Sequence, residues 1–166
     1  MSKKAKKEKQ AAAVNKGERV ICENRKARHR FEILDALECG IILWGSEVKS
    51  LREGRISLDE AYGRIRDGEA WLVGCDIPEY PNATLWNHEP KRPRKLLVHR
   101  EELRKFLNQA HEKGLTLVPL KMYFNERGIA KVLMALCRGK KLHDKRESMK
   151  KADMKREMDQ AMRRRR

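Results

Sequence analysis

The sequence predicts a mainly β protein: a small closed antiparallel barrel with flanking helices and a basic C-terminal tail. Three observations predict it. Apolar residues recur with period two from Phe31 to Leu43. Two hairpin signals, Asp67-Gly68 and Asn125-Glu126-Arg127-Gly128, separate β-like runs. Only Glu101–Lys113 has a clear helical period. Hairpins with one interposed helix suit a barrel of the oligonucleotide-binding (OB) type better than a βαβ layout.

Each element follows in order. Residues 1–16 read as a solvated basic arm, lysine-rich and without a periodic apolar face. The barrel is expected over residues 17–138, with its first strand near Val20-Ile21. Asn24–His29 and Glu47–Arg52 are short helix candidates. Phe31, Ile33, Asp35, Leu37, Cys39, Ile41 and Leu43 form one strand face, with a bend at Gly40. After the Asp67-Gly68 turn, Trp71, Val73, Cys75 and Ile77 are expected on one face. In Glu101–Lys113, Leu103, Phe106, Leu107 and Ala110 recur at helical spacing, and Gly114 stops the run. Leu115–Phe124 and Ile129–Cys137 form the second hairpin. Pro119 must mark an edge or a bulge, because it lacks an N–H. Residues 139–166 are the tail.

Charge narrows the function. The chain has 166 residues, with 40 Lys+Arg against 24 Asp+Glu, a formal net charge of +16. Residues 1–9 carry +4 and residues 138–166 carry +8, which leaves only +4 on the 128 residues between. A basic body with more basic ends attracts a polyanion and releases its counterions. With 5% aromatic residues, a broad base-stacking platform is not expected.

Other classes are disfavoured. No stretch approaches the roughly 18 apolar residues of a membrane span, and no apolar run follows the first lysines. A cytoplasmic protein without a membrane partner is therefore expected. Cys22, Cys39, Cys75 and Cys137 lie far apart, which suits reduced, buried thiols rather than a zinc site. No nucleophile or phosphate-loop motif occurs, and the five histidines show no metal-ligand pairing, so no catalysis, cofactor or metal is expected. Asp35, Glu38, Glu47 and Glu53 leave a metal-dependent nuclease as a remote rival.

Three basic clusters are the candidate binding surface. Asn24-Arg25-Lys26-Ala27-Arg28-His29-Arg30 holds four cations and a histidine in seven residues. Lys91-Arg92-Pro93-Arg94-Lys95 precedes an apolar run, and Arg138-Gly139-Lys140-Lys141 follows the last strand. Folded RNA suits such a surface, being read by backbone and shape with few aromatics. Trp44 and Trp71 read as packed side chains.

The residues also resemble a known family. NRKARH (Asn24–His29), GSEVKSLR (Gly45–Arg52), DGE (Asp67–Glu69), RKLL (Arg94–Leu97), GLTLVPL (Gly114–Leu120), AKV (Ala130–Val132) and RGKKLHDKR (Arg138–Arg146) occur in the order of the SmpB family, the SsrA-binding proteins of bacterial trans-translation. The match spans roughly residues 20–150. The resemblance implies an OB barrel that binds the tRNA-like domain of transfer-messenger RNA (tmRNA, SsrA RNA). It implies delivery to a ribosome stalled on a truncated message, with the tail in the empty message channel near the decoding centre. The partners it implies are tmRNA and the small subunit with its 16S rRNA. Elongation factor Tu and alanyl-tRNA synthetase are met indirectly, through the RNA.

The resemblance assigns RNA contact to Glu38, Leu97 and Lys131. Asn24, Arg25, Lys26, Arg28, His29, Arg94 and Lys95 are further candidates on the basic clusters. Lys140, Lys141, His143, Asp144, Lys145 and Arg146 are the candidates for the ribosome. Asn24 serves equally as a helix N-cap, and Leu97 by pattern alone reads as core. Met154, Met158, Ala161 and Met162 fall on one side of a helix too thin to fold alone, so the tail is expected to be disordered when free and helical when bound. The rival from another class is an OB-fold ribosomal protein with basic extensions.

Overall fold

The computed structural model describes residues 17–83, 87–110 and 115–140, with Met154, Met158 and Met162; for Leu107 and Ala110 it describes the backbone only. Seven strands run β1 (Arg19–Glu23), β2 (Phe31–Ile41), β3 (Tyr62–Arg66), β4 (Glu69–Val73), β5 (Arg94–Leu97), β6 (Leu115–Phe124) and β7 (Ala130–Gly139). Three helices interrupt them: α1 (Arg25–Arg30), α2 (Gly45–Arg52) and α3 (Arg100–Ala110). All pairings are antiparallel, in the order β1-β6-β3-β4-β5-β2-β7, and β6 also pairs with β7. That last pairing closes β2 to β7 into a barrel, and β1 adds to β6 from outside the ring.

Pro119 explains how β6 serves three partners. It pairs with β7 along its whole length. On its other edge, Leu117 meets Gly63 of β3, while Lys121–Phe124 pair with β1. The register slips between Pro119 and Lys121, where the edge changes partner. A residue without an N–H sits at that bulge and not at a sheet edge.

A second bulge corrects the expected single face of β2. The register against β7 slips between Ile33 and Asp35. Leu37, Cys39 and Ile41 beyond it face the main core inside the barrel, with Leu72, Met122, Val132 and Met134. Phe31 and Ile33 before it pack instead with Ala27 of α1, Val118, Leu120, Ala135 and Cys137 in a second cluster. The bulge turns the strand so that odd positions switch from the outer to the inner face. The irregularity is at Leu34 rather than at Gly40. Because α1 covers the outer face there, Met134–Cys137 of β7 are buried on both sides.

A similar switch corrects the expected face after the first hairpin. In β4 the buried residues are Ala70 and Leu72, and Trp71 and Val73 point outward. Gly74 then takes a positive φ of 71°, and Cys75 and Ile77 turn back inside, fully buried. Asp67 and Gly68 both have positive φ, 55° and 73°, the twist a two-residue hairpin needs.

α3 lays Leu103 and Phe106 over one end of the barrel. The expected face residues Leu107 and Ala110 lie outside the described side chains, and residues 111–113 lie outside the described residues. Cys39, Cys75 and Cys137 are buried thiols, pushed up to about 12, 12 and 11 by burial.

α2 is held by a buried charge cluster. Glu47 and Arg94 have fully buried side chains and pair at 2.8 Å. The Glu47 carboxylate also accepts two hydrogen bonds from Arg92 and one from the Trp44 N–H at 2.6 Å. Arg94 donates further to the carbonyls of Cys75, Pro90 and Arg92. Beside it the Ser50 hydroxyl donates to the Pro78 carbonyl at 2.9 Å. His88 bridges Ser46 and the Ile77 carbonyl, 2.9 Å from each. Because a carbonyl only accepts, Nε2 of His88 is the donor to Ile77.

Burial drives the Glu47 pKa up, but the two guanidiniums and the Trp44 N–H outweigh it and hold the carboxyl below its ordinary value. Glu47→Gln leaves Arg94 as an uncompensated buried cation, so urea unfolding should show a loss of about 3–5 kcal/mol. A folded-state pKa below the unfolded one means that the carboxylate's contribution is present above the unfolded value, about 4.3, and lost as pH falls through the folded one. The acid limb of stability should therefore be steeper in the parent than in Glu47→Gln. Equal midpoints and equal acid limbs would remove the cluster from its structural role.

Candidate nucleic-acid interface

Strand register brings Leu97, Lys131 and Glu38 together. Leu97 of β5 lies opposite Gly40 of β2, Gly40 opposite Lys131 of β7, and Lys131 opposite Tyr123 of β6. These four positions form one cross-strand row on the outside of the barrel. Directly opposed residues share a face, so none of this depends on side-chain flexibility. Glu38 sits two residues before Gly40 on the same face. A Cβ at Gly40 would meet the Leu97 Cβ at 3.2 Å, so Leu97 lies across the space a side chain would fill. Leu97 is 52% exposed, on the surface rather than in the core.

The polar members are tied to one another. Tyr123 donates its hydroxyl to Glu38 Oε2, and Lys131 Nζ stands 3.3 Å from Glu38 Oε1. Lys121 places its ammonium 4.4 Å from the Tyr123 ring centre and pairs with Glu18 at 2.6 Å. The Tyr123 hydroxyl, then Lys131, hold the Glu38 carboxyl below its ordinary value despite some burial. Burial and the neighbouring carboxylate push the Tyr123 phenol up. The result is an ionised, half-exposed carboxylate in fixed orientation, with open lone pairs for a base amine or a ribose hydroxyl.

A groove of about 380 Å³ adjoins the row, lined by Glu23, Asn24, Arg25, Arg28, His29, Leu120, Lys121 and Leu133. Lys121 and Leu133 border both features, which makes them one surface. Arg25, Arg28 and His29 of α1 are exposed, and the two arginines have no ion-pair partner among the described residues. α1 stands here because Asn24 caps it: its side chain accepts from the Ala27 N–H at 3.0 Å and donates to the Leu58 carbonyl at 3.1 Å.

Several expected contacts have other duties. Arg94 is fully buried and spends its donors inside the protein, so it is a core residue and not a phosphate ligand. Asn24 is 5% exposed and acts as the N-cap. In the second basic cluster Lys91 pairs with Glu60, Arg92 with Glu47, and Lys95 with Glu69. That cluster is therefore largely neutralised. Lys26 pairs with Asp59 at 2.6 Å. Lys140 donates its ammonium to the Arg28 carbonyl at 2.9 Å, closing the last turn of α1, so the tail departs from the same helix that lines the groove. Trp44 is 53% exposed, not packed. Lys141, His143, Asp144, Lys145, Arg146 and Ala161 lie outside the described residues. Met154, Met158 and Met162 lie in helical backbone and are exposed.

Among the described residues no group of three His, Cys, Asp or Glu side chains converges as metal ligands. Glu47 is spent on arginines, and Glu53 pairs with Arg55 at 3.2 Å. Lys121 is absent from the candidates read off the sequence, and Tyr123 reads there as either packed or stacked on a base. Their signal was Lys121-x-Tyr123 on one face of a strand that is otherwise almost wholly apolar.

A closed barrel with a fixed polar row beside a groove bearing two arginines unpaired among the described residues defines an RNA-binding protein of the OB class. Comparison with known proteins identifies which one. The family model described as SmpB protein matches residues 21–164. The SsrA-binding protein of Rhodopirellula baltica is 61% identical over 144 residues, covering 87% of this chain and 82% of that protein. The SsrA-binding protein of Bradyrhizobium sp. (strain BTAi1) is 55% identical over 144 residues, covering 87% and 92%. A chain of the solved structure described as "tmRNA-SmpB: a journey to the center of the bacterial ribosome" is 53% identical, with a TM-score of 0.63 over 73% of this chain and 85% of that one. The chain belongs to the SmpB family.

Tyr123→Phe removes the hydroxyl that holds the Glu38 carboxylate. The Glu38 pKa, followed by carboxyl-carbon NMR titration, should move upward, with the fold unchanged because the ring keeps its place. An unmoved titration would show that Lys131 alone sets the carboxylate.

Proposed function

We propose that this chain binds the tRNA-like domain of tmRNA through the Glu38–Leu97–Lys131 row and the α1 groove, and accompanies that RNA to stalled ribosomes as a non-catalytic adaptor. The observation that supports this is the register: Glu38, Leu97 and Lys131, far apart in sequence, fall on one face within two residues of a single cross-strand row, next to two arginines unpaired among the described residues. Glu38 selects by hydrogen bonding, Lys131 and Lys121 meet phosphate, and Arg25, Arg28 and His29 extend the phosphate contact. Leu97 offers an apolar contact to a base or a ribose.

The chain divides this work between its parts. The barrel, residues 17–138, holds the tmRNA. The tail, residues 139–166, enters the empty message channel, where Lys141, His143, Asp144, Lys145 and Arg146 meet 16S rRNA near the decoding centre. The exposed Met154, Met158 and Met162 would then cover a helix face against the channel wall. Elongation factor Tu and alanyl-tRNA synthetase act on the same RNA and are met through it, in the cytoplasm. No helix among the described residues is long and apolar enough to cross a membrane. Family membership favours this reading over a resident ribosomal protein.

Glu38→Arg should weaken binding to the isolated tRNA-like domain by about ten-fold or more in a filter assay at fixed salt, with an unchanged unfolding midpoint. An unchanged affinity removes Glu38 from the interface. Arg25→Ala/Arg28→Ala should lower the slope of log K against log salt by about two phosphate contacts, each worth ~0.7–0.9 in that slope. Truncation after Gly139 should keep binding to free RNA and abolish tagging on stalled ribosomes. Retained tagging would refute the division of labour between barrel and tail.

A further inference from the structure

The outer face of β2 does not end at Gly40. Ile41 and Leu43 pack on the main core, so the alternation continues past the strand and turns Ile42 and Trp44 outward. Ile42 is held beside β5 by its N–H, which donates to the Lys95 carbonyl at 3.0 Å. Leu97, Ile42 and Trp44 are 52%, 44% and 53% exposed. Single exposed apolar side chains are ordinary, but three on one face, in line with Glu38, form a strip. At about 3.3 Å per residue, Trp44 stands about 20 Å along the strand from Glu38.

Trp44 is also fixed in place. The Arg92 guanidinium lies 4.5 Å from the centre of its ring. That guanidinium is gripped by the Glu47 carboxylate, the same group that accepts the Trp44 N–H. Glu47 thus holds both the backbone and the ring support of Trp44. One ring face rests on a cation, and the residue as a whole is 53% exposed. Below it, Glu47 faces Arg92 and Arg94 together, which leaves one positive charge in excess. A rigid indole over a net positive base is suited to a stacked base whose phosphate is near, and aromatic stacking on unpaired bases needs no sequence code.

We propose that Trp44 is a stacking platform for an unpaired base of the bound RNA, at the far end of the Glu38–Leu97 face. Ile42 lines the path between the two. The proposal rests on the reading of that face as RNA-binding. It adds a contact that the charge and polar groups of the row do not supply. A protein partner is disfavoured by the continuity with the row and by the excess cation beneath the ring.

The test uses the full-length chain and the isolated tRNA-like RNA domain. Trp44→Ala should bind about ten-fold more weakly at fixed salt, and Trp44→Phe should recover most of the affinity. In a Trp71→Phe/Trp86→Phe background, RNA should quench the remaining Trp44 fluorescence and Trp44→Ala should abolish that signal. Trp44 is exposed, so the unfolding midpoint of Trp44→Ala should stay within a few degrees of the parent. Unchanged affinity and no quenching, with Glu38→Arg still impaired, would overturn the platform and leave Trp44 to a protein surface. Unchanged affinity in both Trp44→Ala and Glu38→Arg would instead overturn the reading of the whole face.

Discussion

The buried pair of Glu47 and Arg94 is the constraint from which the rest of the architecture follows. A carboxylate and a guanidinium with no solvent access are tolerated only when every donor and lone pair is engaged. Here the engagement is spread widely. Glu47 comes from α2 and Arg94 from β5, and the carbonyls that absorb the remaining donors belong to Cys75, Pro90 and Arg92. One cluster therefore fixes a helix, the long connection after β4 and the start of β5 relative to one another. Only when β5 is placed does Leu97 come opposite Gly40, and only then does the row exist.

The outer surface is correspondingly economical in its charge. Nine of the 21 described Lys and Arg side chains between residues 17 and 138 sit in ion pairs, and outside the buried Glu47 cluster these are Lys26, Arg55, Arg66, Lys91, Lys95, Lys121 and Lys131. Exposed pairs of this kind add little stability. Their consequence is positional, since paired side chains present defined faces rather than a mobile cloud. The unpaired arginines of α1 then stand out as the local source of phosphate attraction.

Much of this was legible in the sequence, and the failures have a common cause. Period two and the Asp67-Gly68 turn gave the barrel, because alternation and two positive φ values are local properties. The faces went wrong where the backbone left strict alternation, at Leu34 and at Gly74. A bulge or a single left-handed residue inverts every later position, and neither leaves a mark in an apolar pattern. Charge misled in the same way. Arg94 reads as part of a basic cluster when seen beside Lys91, Arg92 and Lys95, and only the fold reveals that it faces Glu47. The family strings GSEVKSLR and RKLL look like candidate ligands, yet they are largely the internal staple. Glu47, Ser50 and Leu51 of the first, and Arg94 and Leu96 of the second, are buried.

That inversion clarifies how recognition and stability are apportioned in this chain. Alternation in β5 sends Arg94 and Leu96 inward and Lys95 and Leu97 outward, so one four-residue strand carries the staple on one face and part of the proposed binding surface on the other. α2 repeats the arrangement, with Glu47 buried and Trp44 exposed at its start. Recognition residues placed on the reverse side of the most tightly engaged polar cluster inherit its rigidity. A surface preorganised in this way loses little conformational entropy on binding, so under the proposed reading a barrel of low net charge needs only a few fixed groups. The tail has no such backing among the described residues. Its attraction rests on the +8 of residues 138–166, a charge that acts at a distance and specifies no orientation. Orientation must then come from the barrel, and the Lys140 ammonium on the last turn of α1 is the point at which the one is handed to the other.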